Sequence, residues 1–99
     1  MYYKISDEVR EYKIRYGDRV IEDTGEPIIF QDYEEYEFFV YLNLLCGYTI
    51  TEKTTGMAIS GEHRTKNAAV KDAIKRLNNN GKRLFERLRQ EAVEKWGEL

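Results

Sequence analysis

The chain is poor in residues that staple or interrupt a fold: its 99 positions hold one cysteine, one proline, one histidine and one tryptophan. A lone Cys46 excludes an internal disulfide and with it a disulfide-stapled secreted scaffold, so a reducing compartment is the expected home. With one proline and 41% apolar residues, the chain falls outside the low-hydrophobicity class that stays disordered. Long apolar runs are missing too. The longest, Phe38 to Cys46, is broken by Asn43 and falls short of the ~20 residues that a membrane-spanning helix needs. Nothing in MYYKISDEVR reads as a signal peptide. The expectation is one ordered, cytoplasmic domain over residues 1–99, with no membrane partner.

The same scarcity bears on chemistry. One His and one Cys leave metal binding to carboxylates, and none of these follows a calcium-loop or zinc spacing. His63 has no Ser, Cys or second His arranged with it for nucleophilic catalysis, and Gly17, Gly56 and Gly61 read as turn residues rather than a phosphate loop. Neither catalytic residues, metal nor cofactor is expected, and the chain does not read as an enzyme. Cys46, near the end of an apolar segment, is expected to be a small buried hydrophobe.

Charge is abundant and segregated. The formal net charge of −2 conceals halves of opposite sign: residues 1–50 hold 5 Lys/Arg and 11 Asp/Glu, residues 51–99 hold 11 and 7. Such asymmetry is an argument about partners, not about fold.

For the fold, Tyr12, Ile14 and Tyr16 alternate with polar residues before Gly17-Asp18, which predicts a hairpin of strands 11–16 and 19–22. Tyr2–Ile5 reads either as an edge strand or, with Ser6 as cap, as the approach to a helical turn. Thr24-Gly25-Glu26-Pro27 reads as a turn, leaving Ile28–Phe30 at best a short strand. Asp32 and Glu35 have capping-box spacing and Gly47 stands where a helix would end, predicting a helix over 33–46. The run 48–53, answered by 57–60 across Thr54-Thr55-Gly56, predicts a second hairpin. Ala69, Val70, Ala73, Ile74 and Leu77 share one helical face, Asn78–Gly81 stops or breaks that helix, and a further helical pattern runs from Lys82 to Trp96. Whether 65–96 is one broken helix or two stays open. The architecture expected is α+β: an antiparallel sheet of about four strands in two hairpins, with two to three helices packed on one face.

Three constellations stand out. Asp32, Tyr33, Glu34, Glu35, Tyr36 and Glu37 interleave carboxylates with aromatics, a pattern that imitates a phosphate backbone with stacked bases, or that caps a helix. His63, Arg64, Thr65 and Lys66, with Lys71 and Lys75 beyond, gather the parts of an anion or nucleic-acid site at a helix start. The spacing Thr65-Lys66-x-x-Ala69-x-x-x-Ala73 is similar to the start of the last helix in double-stranded RNA-binding domains, which implies RNA contact there. The family's further lysines are replaced by residues such as Asn67 and Val70, and its first helix has no counterpart. Leu84, Leu88 and Trp96 need a partner surface, either the protein's own sheet or an interface such as a homodimer seam.

The functional expectation is a small non-enzymatic protein–protein interaction module, an inhibitor or regulator of the mobile-element accessory type. It would present the acidic, Tyr-rich surface to a basic, nucleic-acid-handling protein. The alternative is direct RNA or DNA binding through the basic junction, against which the pI of about 5.5 counts.

Overall fold

In the computed structural model, which describes all residues from 1 to 99, the N-terminal ambiguity resolves as a strand, β1 (Tyr3–Ile5). The alternating segment forms β2 (Arg10–Tyr16), which turns through Gly17 at φ 61° into β3 (Arg19–Phe30). The expected hairpin is there, but β3 is much longer than expected. It passes straight through Thr24-Gly25-Glu26-Pro27, pairing with β2 along its first half and β1 along its second. Pro27 is tolerated because its carbonyl still accepts the Ser6 N–H at 2.9 Å, so the ladder loses only a donor.

Residues 33–46 do not form a helix. They supply a turn segment and then β4 (Phe38–Asn43), which pairs antiparallel with β5 (Gly47–Glu52). Asp32 adopts φ 70°, outside the extended conformation that a helix cap needs, so the capping-box spacing has no helix to cap. An apolar run of this length fits a strand buried on both faces as well as a helix buried all round, and periodicity alone does not separate the two. Here Phe38 and Val40 join one buried cluster, Phe39 and Tyr41 another. Gly25 explains how the second face is covered. A Cβ there would meet the Val40 carbonyl oxygen at 2.8 Å and the Phe39 ring at 2.9 Å, so glycine serves a close approach between β3 and β4 rather than a turn.

The strand order is β1-β3-β4-β5 with β2 on β3, and the five antiparallel strands form a half-barrel. The expected return strand at 57–60 contributes only one isolated bridge, Thr51 with Ala58, and a second joins Tyr48 to His63 beyond it. The 54–56 turn instead reaches β2, where Arg15 N–H donates to the Gly56 carbonyl at 2.8 Å.

One helix follows, α1 (Lys66–Trp96), interrupted at Gly81, where φ 77° and ψ 161° are non-helical. The expectation of an α+β fold with two to three helices on a sheet is therefore corrected to one C-terminal helix with a five-stranded half-barrel. The segment expected to supply the extra helix went into the sheet. Ala69, Val70, Ala73 and Leu77 of α1 pack with Ile28, Phe30, Phe38, Val40 and Ile50. Tyr12 and Ile14 close over Phe39 and Tyr41 on the other side, with the Tyr12 and Phe39 rings stacked at 4.0 Å. No helix is long and apolar enough to cross a membrane.

Candidate interaction surface

The tyrosines of the acidic segment are turned inward, while Asp32, Glu34 and Glu35 stay exposed. Tyr33 is buried, its hydroxyl directed at the Leu77 carbonyl at 3.4 Å and its ring edge-on to Phe85 at 5.3 Å. Tyr36 packs on Phe85 at 5.0 Å and donates to Glu86, a bond that, together with burial, pushes its hydroxyl up to about 12. Glu35 accepts from Lys82 at 2.8 Å, which holds its carboxyl below the usual range. Glu37 accepts from the Tyr12 hydroxyl at 2.7 Å and lies 3.7 Å from Arg10. Burial and that carboxylate raise the Tyr12 pKa. Of the six residues, only Asp32 and Glu34 are exposed without an ion partner. The segment is chiefly the dock for the far end of α1.

The basic junction is likewise partly spent. Thr65 caps α1, accepting from the Ala68 N–H at 3.1 Å, and Lys66 pairs with Glu26. His63 Nε2 lies 2.8 Å from Asp72, which also accepts from Gly61 N–H at 2.7 Å and Arg76 Nε at 2.9 Å. Burial pushes the Asp72 carboxyl up, but these donors outweigh it and hold it down at about 2. Arg64, in the segment before α1, and Lys71 and Lys75, about one turn apart on it, remain exposed with no ion pair. No group of three or more His, Cys, Asp or Glu residues stands ready to hold a metal ion.

Leu84, Leu88 and Trp96 are all partly exposed, Leu88 at 51%. Trp96 receives the Arg15 guanidinium over its ring at 5.5 Å, and Leu88 lines a cleft of about 370 Å³ between α1 and residues 52–59. Arg89 also lines this cleft. Its guanidinium stacks 4.9 Å above Tyr36, donates to Thr54 Oγ1 at 2.9 Å and approaches the buried Glu52 at 3.5 Å.

The most exposed large apolar residues lie in the segment where a helix over 33–46 is expected. Leu44 and Leu45, at 90% and 95% exposure, form the tip of the β4–β5 turn. Asn43 locks that turn, accepting from the Leu45 N–H at 2.9 Å through its side chain and from the Cys46 N–H at 3.1 Å through its carbonyl. Its amide also donates to the Tyr16 hydroxyl at 3.3 Å, so the two hairpin tips share one end of the half-barrel, with Val20 and Leu42 half-exposed there. Cys46 is exposed, not buried as expected, and the neighbouring Glu62 carboxylate raises the thiol pKa. The available signal was Asn43 four residues before Gly47, a turn spacing overshadowed by the apolar run.

No family model, curated protein or solved structure matches this chain.

Proposed function

We propose that this chain is a protein–protein interaction module with no catalysis of its own, binding through the hairpin-tip end of the half-barrel. The observation that carries the reading is the Leu44-Leu45 pair, held out in solvent by a turn whose backbone is locked by Asn43. Burying both side chains would supply roughly 3–6 kcal/mol of transfer free energy, and a turn already fixed loses little entropy on binding. Such a module acts by occupying a partner's surface, which is how a small inhibitor or regulator works. The acidic segment enters this reading only through Asp32 and Glu34, because its tyrosines are committed to the α1 dock.

The test is capture from a nuclease-treated lysate with wild type and with the Leu44→Asp, Leu45→Asp double variant. Retained proteins that are lost with the variant, at an unchanged melting temperature, support the reading. Identical capture by both chains refutes it.

Nucleic-acid binding has one observation in its favour, the exposed and unpaired cations Lys71 and Lys75 on α1 and Arg64 just before it. Under that reading, changing all three to Glu abolishes retention of a duplex RNA probe that wild type holds. Each lost phosphate contact would lower the salt slope by roughly 1.

A further inference from the structure

The sheet is open along β1. This strand ends the order β1-β3-β4-β5 and pairs only with β3, setting Tyr3 opposite Phe30, Lys4 opposite Ile29 and Ile5 opposite Ile28. The Gln31 N–H donates to the Tyr2 carbonyl and the Ser6 N–H to the Pro27 carbonyl, both at 2.9 Å. Bonded and non-bonded pairs alternate along an antiparallel ladder, so Tyr2, Lys4 and Ser6 direct their backbone groups at β3. Tyr3 and Ile5 direct theirs outward, where no other segment of the chain bonds to them. By contrast, the outer edge of β5 is covered by bonds to Ile59, Ser60 and His63, and that of β2 meets Gly56 through Arg15. The side chains along β1 are accessible too: Tyr2 is 81% exposed, and Met1, Tyr3 and Ile29 are half-exposed.

A bare edge invites any extended chain, and a lysine is a common guard against that. Lys4 here selects a register. Two copies of β1 can pair antiparallel about a two-fold axis only with outward-facing residues opposite one another. If Tyr3 stands opposite Ile5 of the second copy, the two Lys4 side chains meet, and like charges directly opposed destabilise a strand pair. If Tyr3 stands opposite Tyr3, Lys4 faces the Tyr2 ring of the second copy, Ile5 faces Met1, and no like charges meet. A cation against a tyrosine face is attractive. Ile29 lies opposite Lys4 on β3, so it continues the same exposed row across the seam.

We infer that the chain forms a two-fold dimer by pairing β1 with β1 of a second copy, Tyr3 opposite Tyr3, which makes the two sheets continuous. The occupant is a second copy because β1 carries both halves of the match: the unpaired backbone donors and acceptors, the Lys4 cation and the Tyr2 ring that receives it. The contact is isologous and stops at two chains. It lies at the Phe30 end of β3, whereas the hairpin tips lie at the Arg19 end, so it stands whether or not those tips bind a partner.

Sedimentation equilibrium over a wide concentration range tests this with three variants, circular dichroism checking that each folds. Tyr3→Pro removes an N–H that has no partner within the chain, in a sheet that already accommodates Pro27. Tyr2→Lys and Tyr2→Glu alter an exposed side chain and set a like or an opposite charge against Lys4 of the second copy. The expected result is a wild type that reaches two chains and no more, with Tyr3→Pro monomeric. The dimer dissociation constant should rise roughly tenfold with Tyr2→Lys and stay level or fall with Tyr2→Glu. A wild type that is monomeric throughout, or a mass that climbs past two chains, overturns the inference. So does a folded Tyr3→Pro chain that dimerises like wild type. If Tyr3→Pro does not fold, the Tyr2 variants decide alone, and equal dissociation constants for the two overturn the pairing of Tyr2 with Lys4. A monomeric chain that captures another protein from a lysate, and loses it with Tyr3→Pro, gives the edge to a foreign strand and rules out the second copy.

Discussion

The two arms of α1 have similar sequence periodicity and are held in different ways. Lys66–Asn80 buries Ala69, Val70, Ala73 and Leu77 in the main core. The arm beyond Gly81 buries only Phe85, and its other attachments are polar: Lys82 to Glu35 at 2.8 Å, Tyr36 to Glu86, Arg89 to Thr54 at 2.9 Å and Arg15 over Trp96. Apolar burial contributes about 25 cal/mol per Å², whereas an exposed ion pair contributes about 0–1 kcal/mol. The first arm is thus part of the fold, and the second is tethered to it. The difference teaches that an apolar stripe on a helix does not by itself specify burial. On the second arm Leu88 stays half-exposed and, with the partly buried Ala92, becomes the wall of a cleft.

The sharpest way to break this comparison is a matched pair of truncations. Leu77→Ala on the first arm should cost about 3 kcal/mol in urea unfolding, because a buried side chain is lost and a cavity remains. Leu88→Ala on the second should cost less than about 1 kcal/mol, as expected of a half-exposed position. Equal losses would mean that the two arms are one structural unit.

A smaller effect should come from the joint itself. Gly81 has φ 77° and ψ 161°, a conformation nearly closed to other residues, yet a Cβ there would meet nothing within 4 Å. Gly81→Ala should therefore cost about 2 kcal/mol through backbone strain alone. Hydrogen exchange should show the loss of protection confined to the second arm, and loss spread evenly over both would contradict the tethered picture.

The smallest effect concerns how the first arm is tied to the 61–63 segment. Asp72 has its carboxyl held down at about 2 by His63, Gly61 and Arg76, below an unfolded value of about 3.9. A depressed carboxyl contributes stability that is present above about pH 4 and lost as pH falls toward about 2. Asp72→Asn should remove about 1 kcal/mol at neutral pH, discounted for the exposed Arg76 partner, and flatten the stability curve across that acid window. An unchanged acid limb of the curve would show that these bonds do not stabilise the arm.

Local patterns were legible where a short-range rule had no rival. The β2–β3 turn at Gly17-Asp18, the Thr65 cap, the buried face of Ala69, Val70, Ala73 and Leu77, and the break at Gly81 all follow from spacing within a few residues. The 33–46 segment failed because two local rules, capping-box spacing and an apolar run, pointed to a helix, whereas residues from distant parts of the chain bury both faces of Phe38–Tyr41 as a strand. The charged clusters were legible as clusters but not as sites. Glu35, Glu37 and Lys66 find partners at sequence separations of 47, 25 and 40 residues, which no window on the sequence contains.

The sequence by itself determined an ordered domain without an internal disulfide, one strong hairpin and a C-terminal helical region with a break, because these depend on composition and on nearest neighbours along the chain. Tertiary structure decided the rest. It placed β2 and β3 over the second face of β4, so that Phe38–Tyr41 became a strand buried on both sides and the strand ended in a turn that left Leu44 and Leu45 in water. Burial is a property of what lies across from a residue, and in a curled sheet what lies across comes from distant parts of the chain.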